Sequence, residues 1–117
     1  MMDFDEYQDK ALNTLLVDTA EHLTYGLAAE VGEVMSLMQK YERQDKRYWS
    51  DQTDTFFGNY TPLFKEKLFA ELGDVLWYLS CLCHHHGFPL SSVALHNLEK
   101  LGNRVTHNTL RGDGDNR

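Results

Sequence analysis

The stretch LFKEKLFAELGDVLWYLSCLCHHH, residues 63–86, decides the fold. Phe64, Leu68, Val75, Tyr78, Leu79 and Leu82 recur at helical spacing and define one apolar arc at about 100° per residue. Thr61-Pro62 stands before it and Gly87 after it, residue types suited to opening and stopping a helix. Two carboxylates interrupt the pattern: Glu71 falls inside the apolar arc and Asp74 sits at its border. A carboxylate aimed into a core is unfavourable unless something neutralises it.

Working outward, residues 27–43 repeat the arrangement after a turn-like Thr24-Tyr25-Gly26. Leu27, Val31, Val34, Leu37, Met38 and Tyr41 span one arc, with Glu30 inside it and Glu33 just past its edge. A further helix is expected from Asp5 to His22, on the periodicity of Leu12, Leu15, Leu16 and Thr19. The last opens after Pro89, where Ser91 or Ser92 would cap it, and runs to about Arg104. Strand signals are nearly absent, since no alternating run exceeds four residues. The reading is all-α: a four-helix bundle in a single domain over residues 1–117, with an insert at 44–60 and a polar tail at 110–117. The insert carries Tyr48, Trp49, Phe56, Phe57 and Tyr60, which either pack over the bundle end or a subunit interface, or form a lid over a ligand.

Composition narrows the function. A chain of 117 residues buries a modest core, so a partner subunit would help it. Its net charge of −7 argues against duplex nucleic acid, whose binding needs clustered Lys and Arg. An acidic chain can still bind a phosphorylated small molecule if divalent cations bridge the like charges. Cys81 and Cys83 lack redox or zinc spacing and read as reduced thiols. Neither a signal peptide nor an apolar run of the ~20 residues needed to span a bilayer is evident, so a cytoplasmic protein without a membrane partner is expected.

Each acidic pair is three residues apart and therefore projects from one side of its helix. A lone pair of this kind usually marks a solvated face. Two pairs, both intruding on apolar stripes, point instead to a metal site. Four carboxylates without His or Cys suit Mg²⁺ or Mn²⁺ rather than Zn²⁺. Di-iron and di-manganese bundles need Glu-x-x-His, which Glu30, Glu33 and Glu71 do not begin. His84, His85 and His86 point about 100° apart and cannot converge on one ion. His85 alone shares the face of Asp74 and Tyr78.

The segments Gly26-Leu27-Ala28-Ala29-Glu30-Val31-Gly32-Glu33-Val34 and Glu71-Leu72-Gly73-Asp74-Val75-Leu76-Trp77-Tyr78 resemble the two signatures of the MazG-like all-α nucleoside triphosphate pyrophosphohydrolases. Asn97-x-x-Lys100-Leu101-x-x-Arg104 is similar to that family's fourth-helix pattern, and Gly112-x-Gly114-Asp115-x-Arg117 to an ending found in many members. The insert makes the gap between the acidic pairs longer than the family's usual one. The resemblance implies hydrolysis of a nucleoside triphosphate to monophosphate and pyrophosphate, and a homodimer or homotetramer. It also implies metal ligation by Glu30, Glu33, Glu71 and Asp74.

A bound Mg²⁺ would orient the triphosphate and activate a water, whose proton Glu33 is one candidate to take. Lys67, four residues before Glu71, matches a lysine near the family's metal site; otherwise it is a simple i,i+4 pair with Glu71. Asn97, Lys100 and Arg104 form one polar stripe, suited to phosphate or base contacts or else merely solvated. Tyr78 would stack on a base or serve as a core tyrosine. Two rival readings remain: a non-catalytic helical protein-interaction module, and a metal-dependent hydrolase cutting a phosphodiester or a monophosphate.

Overall fold

The computed structural model describes residues 1–43 and 60–106; the predicted insert, apart from Tyr60, and the tail lie outside the described residues. Among the described residues four α-helices follow in order: α1 (Phe4–Ala11), α2 (Ala20–Glu42), α3 (Pro62–His85) and α4 (Leu90–Thr106), with one 3₁₀ turn at Leu12–Thr14. Among the described residues there is no strand. The all-α fold expected from periodicity is the one observed.

The first helix differs from expectation. It does not run to His22: it tightens into the 3₁₀ turn and ends at Leu15, whose backbone is extended. Thr19 then starts α2 by accepting a hydrogen bond from the His22 amide at 3.2 Å. The Leu12-to-Thr19 periodicity was misleading, for Leu16 is 93% exposed. Thr24-Tyr25-Gly26, read as a turn, lies inside α2. The other starts follow the sequence more closely. Asp3 caps α1 through the Glu6 amide at 2.8 Å, and Thr61 caps α3 through the Phe64 amide at 3.2 Å, with Pro62 in the first turn.

Helices α2 and α3 pack antiparallel along their length. Tyr41 near the end of α2 meets Phe64 near the start of α3, with ring centroids 5.0 Å apart, while Gly26 far up α2 meets Tyr78 far along α3. Leu37, Tyr41 and Phe64 form a closed apolar end, flanked by Met38, Tyr60 and Leu68. Tyr60 stacks on Phe64 at 4.5 Å, so this one aromatic of the predicted insert packs over the bundle end. Val31 and Leu79, placed in the buried arcs from sequence, are 43% and 36% exposed, so both apolar stripes are narrower than expected.

A second face of α3, carrying buried Ser80, Cys81 and Cys83, belongs to the side where α1 and α4 pack. Both thiols are free, and burial pushes them up, away from the reactive thiolate. The α3–α4 corner is a Schellman ending: Gly87 has φ 78°, its amide bonds to the His84 carbonyl at 2.9 Å, and the Phe88 amide bonds to the Cys83 carbonyl at 2.8 Å. The expected serine cap of α4 is replaced by side chains of α1. Buried Gln8 donates to the carbonyls of Ser80 at 3.1 Å and Phe88 at 3.0 Å, and its Oε1 accepts from the Leu90 amide at 3.0 Å. Asp5 accepts from the Ser91 amide at 3.0 Å and the Ser91 hydroxyl at 2.6 Å, bonds that hold its carboxyl below the usual aspartate value.

Gln8→Ala would therefore leave three backbone groups at the α3–α4 corner without their partner. Unmade buried hydrogen bonds are expensive, so a loss of about 2–4 kcal/mol in urea unfolding is expected. A loss below about 0.5 kcal/mol would mean that the corner stands without Gln8.

Candidate metal centre

The candidate site starts from a glycine. A Cβ added to Gly26 would collide with Cε1, Cδ1 and Cζ of Tyr78, so only glycine lets this ring lie against the α2 backbone. That contact fixes how closely α2 and α3 approach. One turn further along α2 comes Glu30, and one turn back along α3 comes Asp74, with Glu71 three residues before it.

Glu30, Glu71 and Asp74 each offer a carboxylate oxygen, and these oxygens lie within 4.8 Å of one another. Glu30 and Glu71 are half-buried, whereas Asp74 is exposed. Burial is the main cause that pushes the Glu30 carboxyl above its usual value; the charges of Asp74, Glu71 and Glu33 push in the same direction. Every one of those causes disfavours ionisation of Glu30, an effect that a cation at the cluster would offset. A hard divalent ion with oxygen ligands supplies that compensation, and the donor set fits Mg²⁺ or Mn²⁺. Among the described residues this is the one group of three that could hold a metal.

The other residues singled out in the sequence are placed as follows. Glu33 is exposed and stands outside the trio, yet its charge acts on Glu30. Lys67 is exposed, one turn before Glu71. Tyr78 is half-buried, edge-on to Trp77 at 4.9 Å. On α4, Asn97 is exposed, Lys100 half-buried and Arg104 buried at 5% exposure, so this polar stripe sinks into the protein towards its end. His85 places Nδ1 2.7 Å from Asp18 Oδ1, which ties the segment before α2 to the end of α3.

Three residues escaped the sequence reading. His22 lies on α2 one turn before Gly26, with its ring centroid 6.2 Å from that of Tyr78. Starting α2 at Thr19 rather than after Gly26 would have placed it on the face of Glu30. Tyr7 of α1 is pushed up by burial first and by the charges of Cys81 and Asp74 after it, which keeps its phenol protonated. The Trp77 indole donates to the Ala11 carbonyl at 3.2 Å and the Thr14 hydroxyl at 2.9 Å, anchoring the 3₁₀ turn to α3. Nothing local in the sequence announces these long-range contacts.

Comparison with known proteins bears on the same residues. The model of the MazG nucleotide pyrophosphohydrolase domain matches residues 18–109, a span that contains all three clustered carboxylates. The Gene 37 protein of Mycobacterium phage L5 is 35% identical over 125 residues, covering 99% of this chain and 100% of the relative. No solved structure matches the chain.

Two outcomes follow from this geometry. A carboxyl whose pKa is raised on folding favours the folded state while protonated, so its contribution is full below the unfolded value and is lost as pH rises through the folded one. The metal-free protein should therefore gain thermal stability on Glu30→Gln near neutral pH and lose that gain as pH falls through the carboxylate range. Scanning calorimetry with and without Mg²⁺ checks it: the ion should raise the wild-type Tm, by the equivalent of about 2.7 kcal/mol at a hundred times Kd, and shift the variant much less. Gly26→Ala should cost about 1–3 kcal/mol by overpacking. It should also weaken the Mg²⁺-induced Tm shift, whereas Gly32→Ala, where a Cβ meets open space, should leave that shift intact.

Proposed function

This chain belongs to the MazG nucleotide pyrophosphohydrolase family, and on that footing we propose that it hydrolyses nucleoside or deoxynucleoside triphosphates to monophosphate and pyrophosphate. The observation that carries the reading is the convergence of Glu30, Glu71 and Asp74 from two antiparallel helices. Three carboxylates on one spot need a divalent cation, and a dication held there attracts a triphosphate that a chain of net charge −7 would otherwise repel. When bound, Mg²⁺, or Mn²⁺ in its place, neutralises the polyphosphate and lowers the pKa of a coordinated water.

The protein's own groups take up the remaining work. Glu33, exposed beside the trio, accepts the proton of the attacking water. The water oxygen bonds to one phosphorus of the α–β anhydride as the bond from that phosphorus to the bridging oxygen breaks, so one product carries the water's oxygen and the other leaves with the bridging oxygen. Lys67, one turn from Glu71, binds a phosphate oxygen, and Tyr78 lends its ring to the sugar or base. Asn97, Lys100 and Arg104 supply further phosphate or base contacts from α4. The activity would remove or recycle particular normal or damaged nucleotides in the cytoplasm; no helix among the described residues is long and apolar enough to cross a membrane.

A homodimer or homotetramer belongs to this proposal. Met35 on α2, Phe69 and Leu72 on α3 and Leu98 on α4 are 68%, 84%, 51% and 66% exposed in a single copy. A second copy of the chain would cover such faces.

The test is a product assay over ribo- and deoxyribonucleoside triphosphates, with Mg²⁺ and with chelator. Monophosphate and pyrophosphate are expected, abolished by chelator. Glu71→Ala should lower kcat/KM by more than the ~10–100-fold typical of changes behind the metal ligands. Release of inorganic phosphate would favour a different hydrolase. No turnover by folded, Mg²⁺-bound protein would favour a protein-interaction module instead.

A further inference from the structure

The groove between α2 and α3 has two ends, and they differ in chemistry. Beyond Glu30, towards the end of α2, it is filled by the protein's own rings: Leu37, Tyr41 and Phe64 are buried there and Tyr60 stacks on Phe64. That end of the seam closes on apolar side chains and rings. In the other direction come Gly26 with the Tyr78 ring against it, and then the exposed imidazole of His22. His22, Gly26 and Glu30 recur at intervals of four residues and so share one face of α2. Eight residues separate His22 from Glu30, about 12 Å along a helix, a span comparable with the reach of a nucleoside from its α-phosphate.

From this placement we infer that His22 is a specificity-determining residue that reads the edge of the nucleobase, with Tyr78 lying under the sugar between base and metal. The inference rests on the pyrophosphohydrolase reading above. An imidazole suits the task because one ring nitrogen can donate to or accept from a base edge, according to its tautomer. The mode of holding the backbone suits it too. Thr19 fixes the His22 amide at the first turn of α2, leaving the side chain with no role in capping. The ring is solvent-exposed rather than part of the core, so its removal should leave the fold unchanged.

The experiment compares wild type with His22→Ala, His22→Phe and His22→Gln over the same panel of triphosphates. It adds calorimetric binding of a nucleotide with a non-hydrolysable α–β bridge, and inhibition by inorganic tripolyphosphate. Losing a single exposed hydrogen bond to the base should raise KM for the preferred nucleotide about tenfold, with the loss falling in KM rather than kcat. The ranking of bases should flatten in His22→Ala and His22→Phe and return in part in His22→Gln, which restores a donor and an acceptor. The non-hydrolysable nucleotide should bind more weakly by the same factor, while tripolyphosphate, having no base, should inhibit all four proteins alike.

Turnover by wild type with unchanged KM and unchanged base ranking in His22→Ala would overturn the role of His22 and leave the pyrophosphohydrolase reading standing. So would an equal loss for every nucleotide and for tripolyphosphate, which would place His22 on the phosphates or in the scaffold. Absence of any triphosphate turnover by wild type would remove both readings together.

Discussion

The approach of Tyr78 to the backbone of α2 at Gly26 is the contact on which the site depends. Two helices normally keep a distance set by the side chains between them. Here one of the two side chains is missing, and the flat ring of the other takes its place. The antiparallel course of the helices then brings Glu30 opposite Asp74 one turn away, with Glu71 alongside. The energetic consequence is a conflict. Carboxylates that the packing forces together repel one another, and the half-buried Glu30 resists ionisation. A dication held between them, as proposed, would turn that repulsion into ligation.

The rest of the framework keeps that pair of helices in register. At one end the Tyr41, Tyr60 and Phe64 rings clamp the end of α2 to the start of α3. At the other, α1 serves as a bracket: Gln8 and Asp5 satisfy the free amides at the head of α4 and the carbonyls of the α3–α4 corner. Trp77 ties the 3₁₀ turn to α3, and His85 ties Asp18 to its end. These are polar bonds, and few apolar side chains among the described residues are fully buried, so orientation here owes as much to hydrogen bonding as to core volume.

Most of α3 was legible in the sequence because each signal was local: a Thr-Pro start, an unbroken helical period and a glycine stop, all within one segment. The first helix was misread for the opposite reason. Leu12, Leu15, Leu16 and Thr19 have helical spacing, but Thr19 is a cap and Leu16 points to solvent, and periodicity does not distinguish a buried leucine from an exposed one. The same error turned Gly26 into a turn residue. A glycine inside a helix looks like a break until the ring that occupies its missing side chain is seen. Likewise the serines after Pro89 looked like the cap of α4, while the caps come from residues more than eighty positions earlier.

The sequence by itself determined an all-α chain whose apolar stripes are interrupted by paired carboxylates, the donor type that the proposed hard cation calls for. It did so because helical period and residue type are local properties. Tertiary structure decided which of those carboxylates meet. Glu30, Glu71 and Asp74 converge while Glu33 stands to one side, and His22 joins the groove beside Tyr78. That choice depends on the distance and register between two helices, which are set at Gly26 and Tyr78 by a pairing of residues far apart in the chain.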